Sequence, residues 1–242
     1  MALALNTLPN LISLAAVAAV IGGLAAVERK GAFQLMLSRP LVLAPLLGWA
    51  LGDARGGLFL GVPLELLFLG GVNLGGSVPE NETLLAAGLT AALIPAGLRT
   101  GHGLDPALAA LGLGLLYPLA LAGRWLERAA EQRNDALLEA ALARAQAGDA
   151  SAVDLNWRGL VLPFASAAAI CAGCVLVSPA FAALRGACGP RLVTGLEGAW
   201  HAAWALAIAC SIRAIRNRRA PLIAAITVAA TFAVAALASL LA

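Results

Sequence analysis

The stretch Gly56-Gly-Leu-Phe-Leu-Gly-Val-Pro-Leu-Glu-Leu-Leu-Phe-Leu-Gly-Gly-Val-Asn-Leu-Gly-Gly76 holds a single charge, Glu65, and no other lies between Arg55 and Glu80. About 20 apolar residues at 1.5 Å rise span roughly 30 Å, the thickness of a bilayer's hydrocarbon core. A carboxylate inside such a run costs on the order of 2.5–3.5 kcal/mol on insertion scales, so it faces a polar cavity or a partner. Gly61, Pro63, Gly70 and Gly71 interrupt the run, and a broken helix at membrane depth must line a cavity or pack within protein. The stretch therefore predicts a membrane-embedded, irregular helix with Glu65 as its first functional candidate.

The rest of the chain agrees with a membrane setting. Hydrophobic residues make up 61% and charged residues 12% of the 242 residues, with a mean hydropathy of +0.89. A soluble domain carries roughly 25% charged residues, so a conventional charged surface is missing. The net charge of +3 is small, and the arginine bias reflects composition and gives no sign of nucleic-acid binding. Met1 to Asn10 carry no basic residue ahead of the first apolar run, so that run is expected as a retained helix and not as a cleaved signal.

The apolar runs are Leu11–Val27, Leu41–Leu51, Gly57–Gly76, Leu84–Leu98, Leu104–Gly123, Gly159–Leu184, Leu192–Ile212 and Ala220–Ala242. The fold class expected is all-α: a polytopic transmembrane helical bundle with re-entrant or broken helices. The second run is too short to cross and is expected as a re-entrant or half-membrane element. Glycines four apart there (Gly48, Gly52 and Gly56; Gly57 and Gly61; Gly71 and Gly75) suit close backbone packing, without fixing which pairs meet. Three regions follow: residues 1–123 as an N-terminal membrane region with its irregular element at about 39–80, residues 124–158 as a polar interval, and residues 159–242 as C-terminal membrane helices. Within the interval, Trp125–Ala147 has no Gly or Pro and reads as a solvated or interfacial amphipathic helix ending at Gly148-Asp149. Its arginines and the cluster Arg213, Arg216, Arg218 and Arg219 are separated by two apolar runs. Both are expected on the cytoplasmic side, with the C-terminus outside.

Other reactive residues carry little. Cys171-Ala-Gly-Cys174 lies in an apolar helix with no second ligand pair nearby, and Cys188 has no evident partner, so no metal site is expected. His102, in a Gly-rich loop, and His201, beside Trp200, carry no sign of a phosphorylation or proton-relay role. Asp53 and Arg55 suggest a salt-bridged turn, while Arg39 either holds the short element or meets Glu65. No P-loop, dinucleotide fingerprint, nucleophile elbow or metalloprotease motif is present, which argues against autonomous catalysis and implies no cofactor.

Taken in order, Phe33-Gln-Leu-Met-Leu-Ser-Arg-Pro-Leu41, Gly48-Trp-Ala-Leu-Gly-Asp53, Gly61-Val-Pro-Leu-Glu-Leu-Leu-Phe-Leu-Gly70 and Val72-Asn-Leu-Gly-Gly-Ser-Val-Pro79 resemble the IIC membrane subunit of mannose/fructose/sorbose-type sugar phosphotransferase systems. The resemblance covers about the first 90 residues. It implies a bacterial inner-membrane permease that binds a hexose and delivers it to IIB for phosphorylation. It also implies pairing with a second membrane subunit, IID, in trimers of IIC–IID pairs, with cytoplasmic IIA and IIB supplying phosphate on their own histidines. Glu65 and Asn73 match the family's embedded glutamate and asparagine, and carboxylate plus amide suits a polyhydroxylated ligand. Where the family commonly has an aspartate, this chain reads Pro79-Glu-Asn-Glu-Thr83. Asn81 is therefore a third substrate-binding candidate, although a cap on the helix near Leu84 is the favoured reading. Two other functions stay open: a secondary sugar carrier in which Glu65 cycles protons, and a non-transporting scaffold or sensor.

Overall fold

The computed structural model describes residues 8–32, 34–69, 78–101, 103–149, 154–215, 219, 222, 225 and 226. Among them are nine helices: α1 (Leu8–Arg29), α2 (Pro40–Ala50), α3 (Ala54–Phe68), α4 (Glu82–Thr100), α5 (Pro106–Leu116), α6 (Pro118–Gln146), α7 (Asp154–Leu176), α8 (Ser178–Ala187) and α9 (Pro190–Ala214). The last apolar run, Ala220–Ala242, falls almost wholly outside the described residues.

Helix α4 is the axis of the bundle. Every residue from Glu82 to Gly97 is buried, and α1, α2, α3, α5, α6, α7 and α8 all pack on it. Its sequence permits this, because Ala86, Ala87, Gly88, Ala91, Ala92, Ala96 and Gly97 let neighbouring backbones close in from several directions. Asn81 starts the helix by accepting from Leu84 N at 2.8 Å. Gly101, at φ +78°, ends it in the left-handed conformation that glycine adopts without strain.

Among the described residues, four segments are long and apolar enough to cross a membrane: Asn10–Arg29, Glu82–Thr100, Pro106–Gln146 and Trp157–Leu176. The apolar window of α4 is 83% buried, whereas those of α1 and α7 are 28% and 33% buried. One helix therefore forms the core, and the outer helices turn Ile12, Val20, Leu24 and Val161 outward. Such faces belong in lipid.

The short second element is half of a helical hairpin. Pro40 opens α2 at a position where its missing N–H costs nothing. Gly52, at φ +104°, turns the chain, and Asp53 accepts from Gly56 N at 2.8 Å to start α3. Asp53 is thus a helix cap and not an ion-paired turn. The two helices are fused by absent side chains. A Cβ on Gly48 would lie 2.6 Å from the Asp53 carbonyl oxygen, and one on Gly61 would lie 2.5 Å from that of Pro40. At Gly57 it would collide with the Ala44 carbonyl. Three of the glycines at four-residue spacing therefore make this one interface.

The hairpin runs along most of the length of α4. At its root, Thr83 Oγ1 donates to the Ser38 carbonyl at 2.9 Å. At its tip, Gly52 lies against the Leu98 side chain. Thr83 and Leu98 are about 22 Å apart along α4 at 1.5 Å per residue. The capping residues on either side of α2 supply the missing length.

Two runs read as continuous each hold two helices. Leu104–Gly123 holds α5 and the start of α6, which meet at Tyr117: Pro118 has no N–H to continue the ladder, while Tyr117 keeps helical angles of φ −52° and ψ −36°, so the two follow one another as one span. Helix α6 then continues through the boundary at 123/124 to Gln146, about 43 Å in all. The amphipathic piece is therefore the distal part of a membrane helix. Gly159–Leu184 divides before Ser178-Pro179.

The hairpin's close approach is testable. Gly57→Ala should lower stability by about 1–3 kcal/mol through overpacking. Gly173→Ala, where a Cβ meets nothing within 4 Å, should leave the protein as stable or up to ~1 kcal/mol more so. Thermal melting of the purified chain in detergent would compare the two.

Candidate functional site

Pairing of α3 with α2 places Glu65 at the hairpin's root. Its carboxylate accepts from Leu41 N at 3.4 Å, in the first turn of α2. Arg39 Nη1 stands 3.6 Å from the other oxygen, with side-chain exposures of 42% for Arg39 and 15% for Glu65. The pair is loose, with Glu65 largely enclosed and Arg39 more open to the surroundings. Asn73 lies outside the described residues, as does His102.

Beside this root is a hollow of about 680 Å³, bordered among others by Glu28, Arg29, Lys30, Arg39, Glu82 and Glu127. Its walls are held by ionic contacts. Arg29, at the end of α1, donates to Glu82 Oε1 at 2.5 Å and to Glu127 Oε1 at 2.7 Å. The guanidinium fork suits this double duty, since its donors point at two carboxylates at once. Asn81 Nδ2 also donates to Glu127 Oε1, at 2.8 Å. Lys30 meets Glu131 at 3.0 Å on the next turn of α6.

Glu28 has a different task. Its two oxygens accept from the backbone of Met36 and Ser38, both at 2.8 Å. Those bonds secure a turn in which Gln34 and Met36 take positive φ values of 47° and 63°, a conformation that costs side-chain-bearing residues energy. The link from α1 to the hairpin is therefore strained and clamped.

Asn81 has a structural role. Its oxygen caps α4, its nitrogen serves Glu127, and the residue is buried. The Arg29–Glu82–Glu127 group was not foreseen as a unit. A trace of it exists in the sequence, where Ala120, Gly123, Glu127 and Ala130 fall on one buried face of α6. A lone carboxylate on a small-residue stripe signals a partner. Cys171 and Cys174 are buried among apolar helices, and His201 bonds the Glu197 carbonyl on an exposed helix face. No group of His, Cys, Asp or Glu that could hold a metal is found among the described residues.

These features define a class: a multi-pass α-helical membrane protein with a re-entrant hairpin and an ionic cluster at the hairpin's root. A family model described as the sorbose-specific IIC component of the phosphotransferase system matches residues 11–241. The chain is similar to the mannose-specific EIIC component of Escherichia coli K12, 32% identical over 93 residues, or 38% of this chain and 32% of that protein. It is also similar to the fructose permease IIC component of Bacillus subtilis 168, 34% identical over 103 residues, or 43% of this chain and 37% of that one. Each alignment thus spans only about a third of the relative's length.

In fold, the chain is similar to a solved membrane protein at TM-score 0.67 and 23% identity, covering 97% of this chain and 94% of that one. It also matches the cryo-EM structure of the mannose transporter ManYZ with microcin E492, at TM-score 0.57 and 24% identity, covering 91% and 86%. With the family model matched across nearly its whole length, the chain belongs to the sorbose-specific IIC components of the phosphotransferase system.

Removing Arg29 strands two enclosed carboxylates. Arg29→Met should cost about 3–5 kcal/mol. The triple variant Arg29→Met/Glu82→Gln/Glu127→Gln should regain much of that loss, because no uncompensated charge remains. Melting temperatures of the three proteins would show whether the cost lies in the orphaned charges.

Proposed function

We propose that this chain is the sugar-translocating IIC subunit of a mannose-family phosphotransferase system in a bacterial inner membrane. The observation that carries the reading is Glu65: a largely enclosed carboxylate, loosely countered by Arg39, at the root of a rigid hairpin in a chain of this family. A carboxylate accepts from neighbouring hydroxyls of a hexose, and swinging Arg39 aside releases it to do so. Asn73 is assigned a companion role on the family resemblance alone.

In this reading the hairpin travels as one piece, because its glycine interface leaves no room for the helices to slide. The clamped turn at Gln34 to Ser38 is where it bends relative to α1. Sugar enters from outside, binds, and is presented at the cytoplasmic end, where phosphorylated IIB receives it. Phosphorylation adds about 1.5–2 negative charges, so the product does not return through an apolar core. IIA and IIB carry the phosphoryl chemistry, IID completes the membrane unit, and IIC–IID pairs form a trimer.

Uptake of a radiolabelled hexose panel would be followed in cells expressing the chain with its IID subunit. Sugar phosphate should accumulate only when IIB is present, and Glu65→Gln should reduce it about tenfold or more at equal expression. Free sugar accumulating on a proton gradient would replace this reading with a secondary carrier. No uptake of any hexose would leave a scaffold.

A further inference from the structure

Beyond Glu127, helix α6 changes character. Seven of the residues 127–146 are charged, too many for a segment lying in hydrocarbon. Yet Leu138 and Leu142 are 59% and 53% exposed there. Scattered exposed leucines need no explanation, but these two stand one turn apart and beside a groove. The groove is a cavity of about 310 Å³ between α6 and α7, lined among others by Leu137, Leu138, Ala141, Leu155 and Leu160.

Charge is sorted around this part of the helix. Glu131, Asp135 and Glu139 recur every four residues, so they form a row on the flank that also carries Leu138 and Leu142. All three acids are exposed. Arg133 and Arg144 fall on the opposite flank at 100° per residue, and Arg128, at the foot of the row, lies over the Trp125 ring at 5.7 Å. Lys30 pairs with Glu131, whereas Asp135 and Glu139 have no ion pair among the described residues. The row starts at the hollow beside the hairpin's root: Glu131 borders that hollow, and Lys30 borders both the hollow and the groove.

We propose that this edge of α6, with the groove behind it, is a docking surface for a soluble protein that presents an apolar side chain rimmed by lysine or arginine. The inference rests on the reading of the chain as a sugar carrier, in which that protein is IIB. A basic partner finds the two leucines as an apolar centre and the acids as a polar rim, the arrangement that protein interfaces show. The acidic row also steers a basic surface toward the hollow where sugar is presented. A second copy of the chain would set the same acidic row against this one, and like charges facing each other disfavour that contact. Anionic lipid headgroups are repelled for the same reason.

The test is biolayer interferometry of purified IIB against the full chain with its IID subunit in lipid nanodiscs. Leu138→Ser/Leu142→Ser and Asp135→Lys/Glu139→Lys should each raise Kd about tenfold or more. Arg133→Gln, on the other flank, should leave it within about twofold. For the unaltered protein Kd should rise with salt between about 50 and 500 mM, and the rise should flatten in Asp135→Lys/Glu139→Lys. The altered side chains are exposed, so Tm should hold; the lysine variant decides alone if the serine variant lowers Tm. Unchanged Kd in both variants would overturn the docking surface and leave the sugar-carrier reading intact. A serine variant that changes only the number of chain copies per complex would also overturn it, giving the edge to a second copy. No binding of IIB to the unaltered protein would overturn both.

Discussion

One guanidinium ties three helices together at one end of the bundle. Arg29 closes α1, Glu82 opens α4, and Glu127 sits on the buried face of α6, so a single planar cation sets their mutual height and rotation. Because α4 is the axis on which nearly every other helix rests, fixing its first turn fixes the frame. Asn81 extends the same group by bonding both the α4 backbone and Glu127. Ionic contacts of this kind contribute little net energy when both partners are desolvated, yet they tolerate no missing member. Their value here is registry: apolar helices of Ala and Leu could otherwise slide by a turn at small cost.

The hairpin is built into that frame as a tightly paired unit. Helices α2 and α3 are joined through backbone contacts at Gly48, Gly57 and Gly61, which no larger side chain could enter. They join α1 through a short strained turn held by Glu28, pack on α4 through buried leucines such as Leu43, Leu47 and Leu60, and meet α9 where Phe59 and Trp200 have ring centroids 5.0 Å apart. Rigidity within the pair comes from the local sequence, through glycines that bring the two backbones together.

Much of this was legible in the sequence because hydropathy reports burial directly. The runs around Leu11–Val27 and Leu84–Leu98 lie within α1 and α4, and Glu65 announced itself as a lone charge in an apolar stretch. What escaped had two physical causes. Breaks at Tyr117 and before Ser178 leave hydropathy unchanged, since proline alters hydrogen bonding more than polarity; Pro118 and Pro179 were the usable signals. The Arg29 contacts join residues 53 and 98 positions apart, and no local pattern encodes such a pairing.

Helix α6 has one more implication. From Glu127, level with the end of the bundle, it runs on to Gln146 for about 28 Å, a height comparable to a small folded domain. The first turns of α7 stand beside it, with Gly159 against the Asn134 side chain, so the projection is a two-helix post and not a loose tail. The hollow at the hairpin's root opens at the foot of this post, bordered by Glu127 and Glu131. A soluble protein reaching that hollow therefore finds a wall along one flank. Its angle of arrival is restricted before any contact with the hollow is made.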